Sequence, residues 1–319
     1  MHINLRYNKD DEGADFIPVR KKMRLVKRTS AKKRNGRTFM FAMLALLVFT
    51  LIYHFGSDVL FNSSTYVVLA DDEILVSFID VGQGDATLIR TNHHTVLIDG
   101  GDFSARHALL NYLQDAGIAR LDYVVATHPH ADHIGGLISV LERFNVGTVV
   151  MPDAVNDTLV FENFIDVIDA REIPVIMPKP GDILNAGLIN LTVLAPEPGE
   201  ILNVNNASIV LHMQHRQNAF LFTGDAEIES ERAMLISGRN LKAHVLHVGH
   251  HGSRTSTSYE FLQAVNPSVA VISVGSNNQF GHPHHEVIQR LESKNIQIHR
   301  TDRAGTIRMV TNGYQIYLI

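Results

Sequence analysis

The chain has 319 residues, 45% of them apolar, enough for two ordinary domains or one large one with a sizeable core. It has no cysteine, which excludes disulfides and thiolate metal sites and leaves His, Asp and Glu to hold any metal. The formal net charge of −5 joins two unlike parts: residues 1–37 carry 12 Lys+Arg against 4 Asp+Glu, and the remainder 16 against 29, which disfavours broad electrostatic capture of nucleic acid by the large part.

The basic segment has no apolar periodicity. Arg20-Lys21-Lys22, Lys27-Arg28 and Lys32-Lys33-Arg34 crowd together, the pattern of a disordered cytoplasmic tail, with a basic nucleic-acid arm as the rival reading. Residues 38–55 then run for 18 positions without Asp, Glu, Lys or Arg, near the lower limit for a membrane-spanning helix. The basic block before them places the N-terminus in the cytoplasm and the rest outside. The expectation is an uncleaved signal-anchor over 38–55 in the cell membrane, a linker over 56–72 and an extracytoplasmic domain over 73–319. A cleaved signal peptide and a buried helix are the alternatives. The nearest small-residue cleavage pattern, Val68-Leu69-Ala70, lies far beyond the apolar run.

The domain opens with a strand over 74–79, which ends in Asp80-Val81-Gly82-Gln83-Gly84-Asp85, a turn whose glycines let backbone fold closely around a site. A hairpin over 87–98 turns at His93 and His94, read as solvated turn residues, and ends in Asp99-Gly100-Gly101. The spacing predicts a helix over 104–116, a strand over 122–126, a helix over 134–144, a strand over 147–151 and a helix over 159–170. Residues 178–200 hold several Pro and Gly and read as loops around a strand at 189–194. Strands follow at 209–213 and 220–222, the second ending in Thr223-Gly224-Asp225. A helix over 227–236 leads to a strand over 243–248 that ends in Gly249-His250-His251-Gly252-Ser253. A helix over 257–264, a strand over 268–274, the loop 275–284, a helix over 285–293 and three short strands close the chain.

One stretch organises this series. His128-Pro129-His130-Ala131-Asp132-His133 reads H-x-H-x-D-H and follows the apolar run 123–126. Strand ends are where α/β folds place chemistry. Neutral imidazoles and a carboxylate suit zinc and similar borderline metals. The spacing splits the set, with His128 and His130 free to face one ion, and Asp132 and His133 a second. A solvated His-rich loop is the alternative.

Asp99, His128, His130, Asp132, His133, Asp225 and His251 together resemble the metallo-β-lactamase superfamily over residues 73–319. Four stretches are similar to the hydrolase domain of ComEC-type competence proteins: Phe78 to Ala86, Phe222 to Glu227, His250 to Ser258, and Gly281 to His284. The many-helix channel of those proteins has no counterpart here. The resemblance implies an αββα four-layer sandwich with two divalent metal ions, zinc first, with manganese and iron as alternatives. It implies that His128 and His130 hold the first ion, that Asp132, His133 and His251 hold the second, and that Asp225 bridges them. Asp99 would orient a ligand histidine, and Asp80 and Asp85 are assigned a similar supporting role. One departure matters: Asn205-Asn206-Ala207-Ser208 stands where many members carry another ligand histidine, and His212 or His215 is the nearest replacement.

Two cations about 3.5–4 Å apart lower the pKa of a shared water and stabilise both oxygens of an in-line displacement, which suits phosphodiester hydrolysis. Asp132 would orient the nucleophile. His250 and His282 would bind phosphate or protonate the leaving group. Ser253, Asn206 and Asn278 would touch substrate, and Ser256 or Ser258 would cap a helix. The expected function is a membrane-anchored nuclease acting on DNA beside DNA-uptake proteins. The alternatives are an esterase of small or cell-wall phosphodiesters such as phosphorylcholine, a lactam, lactone or thioester hydrolase, and a non-catalytic scaffold of an uptake or envelope assembly.

Overall fold

The computed structural model describes residues 67–199 and 203–319, together with Met43 and Thr50. The expected tail, the expected anchor (apart from those two helical residues) and most of the expected linker lie outside the described residues. Among the described residues no helix is long and apolar enough to cross a membrane. The chain divides into two units, 1–63 and 64–319, and both sheets lie in the second.

That unit holds two sheets. The first orders its strands β15-β14-β1-β2-β3-β4-β5-β6, where β1 is Ile74–Phe78, β2 Thr87–Arg90, β3 Thr95–Ile98, β4 Arg120–Val125, β5 Asn145–Val150, β6 Val175–Ile176, β14 Ile307–Thr311 and β15 Ile316–Leu318. The second orders β13-β12-β11-β10-β9-β8-β7, with β7 Ile183–Ala186, β8 Ile189–Ala195, β9 Val210–His215, β10 Asn218–Phe222, β11 Val245–His247, β12 Val269–Ile272 and β13 Gln297–Arg300.

Period-two alternation builds the layers. On β10, Phe220 and Phe222 face the first sheet, packing with Phe78, Val125 and Ile98. Ala219 and Leu221 face the other way, against Met234, Phe261 and Leu262. Those three belong to α4 (Ile228–Ser237) and α5 (Tyr259–Val265), and α6 (His285–Glu292) adds Val287 and Leu291 to the same layer. On the outer face of the first sheet, Leu88, Leu97, Val124 and Val149 pack on α1 (Arg106–Asp115), α2 (Ala131–Arg143) and α3 (Leu159–Ala170). A single helical turn, α7 (Thr301–Ala304), joins β13 to β14. The result is a mixed α/β fold with helices on both outer faces of two facing sheets.

The expected elements recur with shifted ends. One shift matters: α2 starts at Ala131, inside the H-x-H-x-D-H stretch, so Asp132 and His133 lie in its first turn. Residues 183–186, expected as loop, form β7, pairing Leu184 with Leu191 and burying Leu184 and Ala186.

Strands β3, β4, β5 and β6 run parallel, as do β10, β11, β12 and β13. Their C-terminal ends deliver Asp99, His128, Asp225, His251 and the loop 275–284 to one edge of the sandwich, where α/β folds carry their chemistry.

Candidate metal centre

Residue by residue, the centre begins at the end of β3. Asp99 is fully buried with φ +57°, a left-handed conformation that Asp tolerates better than most residues. Its Oδ1 accepts from the Thr127 backbone N–H at 2.8 Å and its Oδ2 from Thr127 Oγ1 at 2.7 Å. Oδ2 also lies 2.9 Å from His133 Nδ1. That contact fixes the ring so that Nε2 turns inward, 3.3 Å from Asp225 Oδ1.

Glycines bring α2 against this turn. Gly136 N–H donates to Gly101 O at 2.9 Å, and Gly100 N–H to His133 O at 2.8 Å. A Cβ on Gly136 would stand 2.0 Å from Gly100 O, so only glycine allows the approach. The same holds across the first glycine turn, where a Cβ on Gly84 would stand 2.3 Å from Asp132 O.

Asp225 lies between two groups of ligand-type side chains. Its Oδ1 faces His133 Nε2 at 3.3 Å and His251 Nε2 at 3.6 Å. Its Oδ2 faces His128 Nε2 and His250 Nε2, each at 3.6 Å. The Asp225 backbone N–H donates to Ser208 Oγ at 3.0 Å, tying the β10 end to the segment before β9. His251 Nε2 lies 3.3 Å from Asp132 Oδ2, and its Nδ1 lies 3.0 Å from Ser273 O and 3.1 Å from Asp85 Oδ1. His250 and His251 both hold positive φ, +52° and +54°, a cost of roughly 1–2 kcal/mol each that aims two imidazoles from adjacent positions at one carboxylate.

Among the described residues three donor sets each draw within 4.8 Å: His128, His130 and Asp225; Asp132, His133 and His251; and Asp85, His133 and Asp225. His133 Nε2, His251 Nε2 and Asp225 Oδ1 are buried without a hydrogen-bond partner. Buried polar atoms normally find partners, so orphans that converge on one point are the signature of a site built for a cation. The donors, imidazole and carboxylate, fit divalent ions of the zinc, manganese and iron group.

Electrostatics agree. Burial, reinforced by His133, holds His128 neutral well below the usual imidazole range, the form that ligates. Burial also lowers His130. Burial opposes charge on His133 and His251 too, but the carboxylates around them win and raise both well above the usual value. Desolvation is likewise overcome at Asp225, whose neighbouring His133, His251 and His128 keep it ionised. The surrounding carboxylates thus favour positive charge at the points where ions would sit. His282, on the loop after β12, is pushed down to about 4 by burial and by the neighbouring His250 and His251.

Several expected residues do other work. Asp80 does not back the ligands; its exposed carboxylate accepts from the Gly82 N–H at 3.1 Å and shapes the turn, while Asp85 at the far end of that turn points inward. Asn206 is committed to the start of α4, accepting from Glu227 N–H at 2.9 Å and donating to Glu229 at 3.4 Å. Asn278 spends its amide on its own loop, bonding Gly275 O, His282 O, Phe280 N–H and His282 N–H. Ser253 is buried against Thr255. Ser258, not Ser256, caps α5. His212 and His215 do not replace the missing histidine. Strand β9 leaves the centre at Ser208, so these two lie progressively farther along it, bonded to Lys242 O and close to Thr311. His94 stays in its turn beside Asp122.

Sequence reasoning missed Glu227 and His247. Glu227 lies 3.3 Å from His250 Nδ1 and accepts from Asn203, Asn205 and Thr255. His247 is buried between Ser273 Oγ, at 2.8 Å, and Asp85. Glu227 follows Asp225 by two positions and His247 precedes His251 by four, spacing that only the turns make meaningful.

Two facing sheets with a His/Asp cluster at their parallel strand ends define a metallohydrolase fold. Residues 79–276 match the family model of the metallo-beta-lactamase superfamily, and the chain belongs to that superfamily. ComE operon protein 3 of Bacillus subtilis is 35% identical over 251 residues, covering 73% of this chain and 32% of the relative. Recombination protein 2 of Haemophilus influenzae is 33% identical over 240 residues, covering 73% and 28%. Competence protein ComA of Neisseria gonorrhoeae is 31% identical over 241 residues, covering 75% and 32%. These are competence proteins of the ComEC type, and the chain spans about a third of their length. Among solved structures, Igni18, a metallo hydrolase from Ignicoccus hospitalis, shares the fold at 15% identity and a TM-score of 0.50, covering 74% of this chain and 98% of that one.

Proposed function

We propose that the protein is a membrane-anchored, extracytoplasmic phosphodiesterase that cleaves DNA in a competence-like role beside DNA-uptake proteins. The observation that carries this is Asp225, whose two oxygens face two separate groups of donors. His128 and His130 would hold one ion, Asp132, His133 and His251 the other, with Asp225 common to both and zinc the first candidate. When bound, such a pair supplies a water of lowered pKa and positive charge at both oxygens of an in-line displacement. Asp132 orients the nucleophile from the first turn of α2. His250 and His282, whose rings lie 5.4 Å apart, would bind phosphate or protonate the leaving group.

A second reading, a small phosphodiester as substrate, is favoured by the cleft beside Asp132. Its volume is about 620 Å³, and among the described residues no Lys or Arg lines it. The full chain should be loaded with zinc or manganese, its bound metal counted, and bis-p-nitrophenyl phosphate and linear DNA offered beside Asp225→Ala. Close to two metals and DNA cleavage lost in the variant support the nuclease. Turnover of the small diester alone moves the assignment to the second reading. Metal without turnover of either substrate rules out both.

A further inference from the structure

The same cleft is bounded by a feature that metal chemistry does not require. Phe280, on the loop 275–284, is 53% exposed and lines the cleft together with Val81, Gln83, Ser104, Asp132 and Gln279. Exposing a benzene ring costs hydrophobic free energy, and this ring is not left to move freely. Asn278 bonds the backbone of Phe280 and His282 and braces the loop from inside. The inner side of Phe280 stacks on His282, ring centroids 5.7 Å apart and planes 26° apart. His282 in turn lies 6.3 Å from the His251 ring with planes 31° apart. A line of neighbouring rings therefore runs from the centre outward, with Phe280 stacked on His282, and ends at an open aromatic face. Among the described residues the cleft offers amide, hydroxyl and carboxylate groups, the last from Asp102 and Asp132, but no cationic side chain to hold a phosphate backbone. Gln83 Nε2 is a buried donor there without a partner.

We propose that Phe280 is a stacking platform for an unpaired nucleobase next to the bond being cleaved, so that the substrate strand enters single-stranded. The inference rests on the phosphodiesterase reading above. A flat π-face accepts any base, and each base–aromatic stack is worth about 1–3 kcal/mol. Duplex DNA, with its bases paired inward, cannot offer that face.

The test uses the metal-loaded full chain and two single-stranded oligothymidylates, one intact and one with abasic residues on either side of a single cleavable phosphodiester. The wild type should favour the intact strand in kcat/KM, and Phe280→Ala should reduce that ratio about tenfold, with Phe280→Trp restoring it. The chain has no tryptophan, so Phe280→Trp also introduces a single indole. Its fluorescence should be quenched by the intact strand and not by the abasic one. An unchanged ratio in Phe280→Ala, or equal quenching by both strands, overturns the platform while leaving the phosphodiesterase standing. A wild type inactive on both strands and on bis-p-nitrophenyl phosphate overturns the phosphodiesterase, and the platform with it.

Discussion

The Asp99 carboxylate lies 2.9 Å from Nδ1 of His133, and that contact decides which nitrogen of the ring is left for a metal. Asp99→Asn isolates this effect. Asparagine accepts the left-handed backbone as readily as aspartate, so the turn survives. The amide loses the charge and presents an NH2 toward groups that need an acceptor. Metal affinity should fall about 10–100-fold with the fold intact, measured by competition with a chelating dye and by circular dichroism. Unchanged affinity would show that Asp99 serves Thr127 alone.

Loading should release protons. His133 and His251 are held protonated by the carboxylates around them, so an ion must displace those protons to bind. Apparent affinity should drop steeply between pH 8 and pH 6. Calorimetry in buffers of different ionisation enthalpy should count the protons released. The metal-free protein should respond in the opposite sense. A raised imidazole pKa contributes stability in full below about pH 6.5 and loses it as pH climbs through the raised value. The Tm of chelator-treated protein should therefore fall from pH 7 to pH 9, and a flat Tm would refute the charge pairing.

Gly136→Ala tests the close approach of α2. Alanine has the better helix propensity by about 1 kcal/mol, so propensity alone predicts stabilisation. Contact predicts the reverse, since the new methyl would stand 2.0 Å from Gly100 O. Overpacking of this kind costs about 1–3 kcal/mol. Urea unfolding should show net destabilisation, and metal binding should weaken because Asp132 and His133 move with the helix.

Glu227→Gln bears on the least anticipated residue. Glu227 lies 3.3 Å from His250 Nδ1 and is held by Asn203, Asn205 and Thr255. With the carboxylate gone, His250 loses the charge beside Nδ1 and keeps only Thr255 Oγ1, at 3.1 Å, whose own acceptor is the same Glu227, while the ligand set stays. Turnover should fall about tenfold or more, with the metal count per chain unchanged, by steady-state kinetics beside metal analysis. A fall in metal content would instead place Glu227 among the groups that support binding.

The strand ends were legible in the sequence because apolar runs stopped at charged or imidazole residues, and that pattern survives small errors in boundaries. What each of two neighbouring carboxylates does was not. Asp80 and Asp85 bracket one glycine turn, and only the path of that turn sends Asp85 inward and leaves Asp80 in water. Asn206 carries a similar ambiguity. A polar residue near a metal ligand can serve the ligand's backbone neighbours, as Asn206 serves Glu227 N–H. His212 and His215 lie close to Asp225 in sequence, but His212 pairs with Leu221 and bonds Lys242 O, and the antiparallel strand carries His215 on to the start of β10, opposite Asn218. Strand β7 was hidden because Pro and Gly in the flanking loops masked its four alternating residues.

Strand β1 lies between β2, its near neighbour in sequence, and β14, which comes almost at the end of the chain. Ile74 pairs with Thr311 and Phe78 with Ile307, so the first described strand waits for one of the last to be made. Until β14 has been synthesised, β1 has one open flank and the eight-stranded sheet cannot close. Such long-range pairing folds slowly. A premature stop codon before β14 would therefore yield a sticky, half-zipped sheet with the flank of β1 open to pair with other chains.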